Sequence, residues 1–154
     1  IAVALNEADE TKKAEEFAQI AINESQTAVT LSLKNVNLKR SRANIFLKLA
    51  ALDQVYLERA RDTLLEALTL APTDAKLYYN LGLTYARLGD TNNAVKLLEK
   101  AIVMKANYKE ARLAYALILI DMGDRAKARE QLTYILEKID PNDPIAAQTL
   151  EEIK

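Results

Sequence analysis

The sequence predicts an all-α fold, a solenoid of antiparallel helix pairs closed by a C-terminal capping helix. Three observations predict it. The 154 residues hold only three glycines and three prolines, too few for a protein built from strands and tight turns. Apolar side chains recur three and four positions apart along most of the chain, the spacing of one helix face. A Gly-Asp turn signal at Gly89-Asp90 returns at Gly123-Asp124, an interval of 34 residues that points to a repeated helical hairpin.

Taken in order, helices are expected near residues 1–9, 11–32, 36–52, 55–71, 75–88, 91–105, 108–122, 125–139 and 144–153. The N-terminal part is the most weakly marked, with only Ala21, Ser25 and Ala28 placed as in the later second helices. Over 75–88 the stripe is Leu77, Leu81, Tyr85 and Leu88; over 91–105 it is Ala94, Val95, Leu98, Ala101 and Ile102. Between them Gly89 can take a positive φ, and Asp90, Thr91 and Asn92 offer an N-cap. Gly82 and Ala94 are small residues where two antiparallel helices would touch, flanked by Leu98 and Tyr85. Pro72 and Pro141 end helices, because each lacks an N–H and clashes with a preceding carbonyl. Pro144 suits the first turn of the last helix, whose Ile145, Leu150 and Ile153 would cover the end of the stack.

The repeat extends beyond the turns. Ala94, Leu98 and Ala101 fall on Ala128, Leu132 and Ile135, and Ala60, Leu64 and Ala67 stand one period earlier. Ala28-Val29-Thr30-Leu31 echoes Ala67-Leu68-Thr69-Leu70 at 39 residues, which places an insertion of five near residues 51–55.

This period and these residues resemble the tetratricopeptide repeat (TPR), a helix-turn-helix unit. The best copy, 75–108, carries Tyr78, Leu81, Gly82 and Tyr85, then Ala94, Leu98 and Ala101; Ala106 replaces the usual proline, which the preceding copy keeps as Pro72. The following copy has Ala116 for the glycine, Leu119 for the tyrosine and one extra residue before Asp140-Pro141. The resemblance implies a single TPR domain over 1–154, wound as a right-handed superhelix. Its repeats would be a partial one at 1–35, a lengthened one at 36–74, then 75–108 and 109–143, with the capping helix at 144–154.

The resemblance also implies a concave groove lined by the first helix of each pair. Its wall would hold Asn37, Arg40, Ser41 and Asn44, then Lys76, Tyr79, Asn80, Leu83, Ala86 and Arg87, then Glu110, Leu113, Ala114, Leu117, Ile120 and Asp121. Some TPR domains hold the C-terminal carboxylate of chaperone tails with a clamp of basic and Asn residues. Arg40, Asn44 and Asn80 match its first three positions, but Glu110 and Ala114 stand where it should be basic, and Glu110 would repel a carboxylate. Whether the groove takes a carboxylate terminus or presents an unspecific polar wall stays open.

Composition narrows the function. The chain has no histidine and no cysteine, so it holds no Ser-His-Asp or Cys-His catalysis, no disulfide and no zinc site of the usual kind. Asp121 with Asp124 and Asp140 with Asp143 read as caps and turn residues, not acid–base pairs or an EF-hand. No phosphate loop or dinucleotide fingerprint is present. The chain is read as non-enzymatic, with no catalytic residue, metal or cofactor. A net charge of -1 argues against nucleic acid, and the basic cluster Lys39, Arg40, Arg42 and Lys48 lacks interleaved exposed aromatics.

The implied partner is a protein or peptide, of identity the sequence does not give, bound in the groove. The middle of the chain is basic and its ends acidic, which leaves a weak head-to-tail homo-oligomer open beside the simpler reading of a solvated face. No run approaches about 18 apolar residues, so this segment is not expected to insert in a membrane. It begins at Ile1 and reads as a piece of a longer protein. Segments 66–82 and 128–136 are also similar to the TPR tails of bacterial membrane proteins of the O-antigen-ligase type. That similarity implies an alternative role, a structural or self-associating appendage of a membrane glycan ligase or polymerase, tethered through a preceding region. The compartment is otherwise unassigned.

Overall fold

The computed structural model describes the backbone of residues 2–153 and the side chains of residues 12–153. Among them are eight α-helices, one π-helical turn and no strand. The chain forms two compact units, Ile1–Leu70 and Ala71–Lys154.

The first unit contains α1 (Ala2–Leu31), α2 (Val36–Leu49) and α3 (Val55–Leu70). The expected break between helices 1–9 and 11–32 is absent, and α1 is continuous. The first 70 residues hold no glycine or proline, so nothing around Asp9 and Thr11 stops the helix. A stop comes only after Leu31, where Asn35 caps α2 by accepting from the N–H groups of Asn37 and Leu38 at 3.0 and 3.2 Å. Ala18, Ile22 and Val29 of α1, Ala43 and Phe46 of α2, and Leu57, Ala60, Leu64 and Ala67 of α3 are buried.

The five inserted residues are shared out rather than looped. Relative to the next helix pair, α2 is longer by one residue, the connection at 50–54 by two, and the start of α3 by two. Helix α2 therefore stops at Leu49, short of the expected residue 52, and Asp53 opens α3 by accepting from the Val55 N–H at 2.9 Å.

The second unit contains α4 (Ala75–Arg87), α5 (Thr91–Met104), α6 (Lys109–Asp121), α7 (Arg125–Tyr134), a π-helical turn (Ile135–Ile139) and α8 (Pro144–Glu152). Asp74, Asp90, Asp124 and Asp143 each cap the following helix through a carboxylate oxygen. Gly89 and Gly123 turn the chain at φ +81° and +84°, the left-handed region that disfavours a Cβ. Leu77, Leu81 and Gly82 of α4 and Ala94, Leu98 and Ala101 of α5 are fully or almost fully buried.

The single helix expected over 125–139 divides. The Lys105 N–H donates to the Ala101 carbonyl four residues back, whereas the Asp140 N–H donates to Ile135, five back. Ala101 and Ile135 are equivalent in the repeat, so the one extra residue of the last copy is absorbed as a π turn. In α8 the buried residues are Ala146 and Thr149, followed by Ile153 just beyond its end, while Ile145, expected to cover the end, is 54% exposed. Ile145 stands one residue ahead of that face, a step of about 100° round the helix, and so points to solvent. The Arg129 guanidinium donates to the Ile153 carbonyl at 2.8 Å and holds the C-terminal turn.

Candidate functional site

Helix α4 divides its residues between two faces. Leu77, Tyr78, Leu81, Gly82 and Thr84 are buried. The remaining stripe, Lys76, Tyr79, Asn80, Leu83, Ala86 and Arg87, is exposed or half-buried. Helix α6 repeats the division, with Ala111, Tyr115, Ala116 and Leu119 inside and Glu110, Leu113, Ala114 and Leu117 toward the open side. This follows from helix geometry: residues three and four apart share a face, and each hairpin spends only one face on its own packing.

Two clefts lie along these stripes. The first, about 380 Å³, is lined by Leu83, Ala86 and Arg87 of α4 and by Ala114, Leu117 and Ile118 of α6. Apart from the Arg87 guanidinium its walls are hydrocarbon, and Leu117 is 43% exposed. The second, about 500 Å³, is lined by Asp74, Lys76, Tyr79, Lys105, Tyr108 and Glu110. There the Tyr79 and Tyr108 rings lie with centroids 5.1 Å apart, and the Lys105 ammonium sits 4.6 Å from the centre of the Tyr108 ring. Burial and the nearby Glu110 carboxylate push the Tyr79 phenol above its ordinary range, so at neutral pH it is a neutral hydroxyl able to donate or accept.

The structure distributes the sequence-predicted residues as follows. Lys76 and Tyr79 share the polar cleft; Leu83, Arg87 and Leu117 share the apolar one. Asn80 and Leu113 are half-buried on the same helices, and the Asn80 backbone carbonyl accepts from the Thr84 hydroxyl at 2.8 Å. Arg40 and Asn44 belong to α2 in the first unit, where Arg40 donates to the Asn37 side chain and Asn44 is exposed. Sequence reasoning missed Lys105, Tyr108 and Ile118. Lys105 and Tyr108 fall in the connection between α5 and α6, outside any helix stripe. The visible signal was a tyrosine directly ahead of a helix where a capping Asp or Ser belongs.

Comparison with known proteins gives this arrangement a family. Residues 75–108 match the Tetratricopeptide repeat profile and residues 56–89 the TPR repeat profile. Residues 56–108 are tetratricopeptide repeats. The fold of the whole chain agrees: a crystal structure of MamA is 21% identical, with a TM-score of 0.78 covering 92% of this chain and 80% of that one. The first TPR of Spaghetti (RPAP3), solved bound to the HSP90 peptide SRMEEVD, is 19% identical, with a TM-score of 0.69 covering 77% of this chain and 89% of that one. Human aspartyl/asparaginyl beta-hydroxylase is 33% identical over 82 residues, 53% of this chain but only 10% of the hydroxylase. Among the described residues, no helix is long and apolar enough to cross a membrane.

Proposed function

We propose that this chain is a non-catalytic protein–protein interaction scaffold that takes a partner peptide along the α4–α6 wall. The observation that carries the reading is the apolar cleft of Leu83, Ala86, Ala114 and Leu117, with Arg87 on its wall and the charged and aromatic side chains of the second cleft on the same helices. Leucines left partly exposed by the hairpin's own packing gain on being covered, about 1.5–3 kcal/mol for a side chain taken fully out of water. Lys76, Tyr79, Arg87 and Glu110 then supply the polar contacts that fix direction and register. A TPR relative seated on a peptide supports the same use of the fold. Glu110, exposed beside Tyr79 and Lys76, stands where a carboxylate clamp is basic and disfavours a carboxylate terminus at that position.

The test compares partners recovered by the wild type with those recovered by the double variant Leu83→Asp, Leu117→Asp. Loss of the same bands, with helicity unchanged by circular dichroism, is the expected result; equal recovery contradicts the reading.

The proposed alternative, a self-associating appendage of a bacterial membrane glycan ligase, draws on the sequence similarity of 66–82 and 128–136 to such tails. Sedimentation of the chain over a hundredfold range of concentration distinguishes it, since only that role requires association with itself.

A further inference from the structure

In the first unit, α2 breaks the packing rule of its own repeat. Arg42 occupies the position held by Leu81 and Tyr115 in the next two copies, which are 1% and 7% exposed. Lys39, 8% exposed, occupies the position of Tyr78 and of Arg112, itself a buried cation. At the Arg42 position a cation thus stands where the next two copies pack a leucine and a tyrosine, and a cleft of about 420 Å³ opens among α1, α2 and α3.

The charges in this cleft are unevenly matched. The Lys39 ammonium is held by the Glu66 carboxylate at 2.7 Å. The Arg42 guanidinium lies 4.9 Å from the centre of the Phe46 ring and donates to neutral acceptors, the Ser25 hydroxyl at 3.1 Å and the Ile22 carbonyl at 3.3 Å. Across the cleft the Arg59 guanidinium rests 5.4 Å from the Tyr56 ring centre, and Asp62 bonds to Arg61 at 2.9 Å. No carboxylate pairs with Arg42 or Arg59 among the described residues. Burial, and the like charge of Arg59, lower the Arg42 pKa against the opposing pull of Glu66, so its charge is partly desolvated and incompletely compensated. Val29, Leu33 and Phe46 supply apolar walls, and Leu33 is 64% exposed at the mouth.

We propose that this cleft is a second binding site, one that takes an acidic side chain of a protein partner, its carboxylate bridging Arg42 and Arg59 and an adjoining apolar residue resting on Val29, Leu33 and Phe46. Two guanidiniums match the two oxygens of one carboxylate with charge-assisted hydrogen bonds. A singly charged ligand is favoured over a phosphate dianion because Asp62 and Glu66 also line the cleft and repel added negative charge. The site occupies the face of α2 opposite Arg40 and Asn44, so it stands or falls independently of the groove.

The test titrates the full chain with acetyl-Leu-Asp-Leu-Glu-Leu-amide, with its Asn/Gln counterpart and with inorganic phosphate, following the guanidinium Nε–H resonances by NMR. The acidic peptide should shift the Arg42 and Arg59 signals saturably and bind at least tenfold tighter than the amide peptide. Arg42→Leu, which restores the residue type of Leu81, and the surface change Arg59→Gln should each weaken it at least tenfold, whereas Lys96→Ala should not. Equal binding of the two peptides, unchanged affinity in Arg42→Leu or Arg59→Gln, or a response to phosphate without one to the acidic peptide would each overturn the proposal.

Discussion

A methyl group placed on Gly82 would stand 2.9 Å from Leu98 Cγ and 3.3 Å from the Ala94 carbonyl oxygen. The α4–α5 hairpin therefore closes on a contact with no room for another carbon, and Leu98 cannot retreat, being fully buried. Ala94→Leu should destabilise the protein by about 1–3 kcal/mol through overpacking. Gly82→Ala should cost less, since the gain in helix propensity of about 1 kcal/mol offsets part of the clash. The exposed Lys96→Ala should change stability by no more than about 0.5 kcal/mol. Urea melts of the three variants check the order.

At the hairpin turns glycine is needed for a different reason. Gly89 and Gly123 have open space where a Cβ would go, and only their positive φ resists substitution. Replacing either with alanine should cost about 1–2 kcal/mol, and asparagine, which tolerates the left-handed region, should cost less. At Gly82 that order reverses, asparagine being the larger group in a closed contact. Thermal melts of the four turn variants and of Gly82→Asn test the distinction.

The C-terminal cap carries a pH signature. Lys109 bridges Asp140 and Asp143, both at 2.9 Å, and Asp143 also accepts from the Ala146 N–H at 2.8 Å. The Ala146 N–H and then Lys109 hold the Asp143 carboxyl below its usual range; Lys109 and the Asn142 N–H do the same for Asp140. Depressed carboxylate pKa values stabilise the fold above the unfolded value of about 3.9, and that contribution is lost as pH falls through the native values. Lys109 is raised by the same pairing, first by Asp143, so its share is complete below about 10.4 and fades only as pH rises through its folded value. Melting temperature should hold from pH 7 to 5 and drop below about pH 4. Asp143→Asn, which keeps a capping oxygen but no charge, should melt lower at pH 7 and lose less on acidification. Identical acid profiles for the two proteins would remove this network from the account.

The helix pairs were legible because small and turn residues are local signals: Gly89-Asp90 and Gly123-Asp124 marked turns that the backbone confirms with positive φ. The continuity of α1 was not: helices were expected at 1–9 and 11–32, in a stretch only weakly marked by the repeat. The π turn at Ile135–Ile139 showed only as one surplus residue before Asp140-Pro141, which period-counting detects but cannot place. The open wall on α4 was read from repeat positions, while Tyr108 and Lys105, which complete its polar end, lie in a connection that has no periodicity to read. In the first unit Arg42 was visible only as part of a basic run. Its place among packing residues needed the burial of Leu81 and Tyr115 for comparison.

The polar end of the wall should set binding direction rather than most of the affinity. Tyr79→Phe removes only the hydroxyl and keeps the ring against Tyr108. It should cost a bound peptide about 0.5–1.5 kcal/mol, the net worth of one hydrogen bond, whereas Leu83→Ala should cost more than that. Affinity of a recovered partner for the two variants, measured by calorimetry, decides which end dominates.

The most direct measurement places a photo-crosslinking residue at position 117, on the apolar wall, and in a second protein at the solvent-facing position 96, and irradiates each in extract of the cells that make the chain. Recognition along the α4–α6 wall predicts discrete adducts at 117, suppressed by Leu83→Asp, and none at 96. The same adducts from both positions, or none from 117, would contradict it.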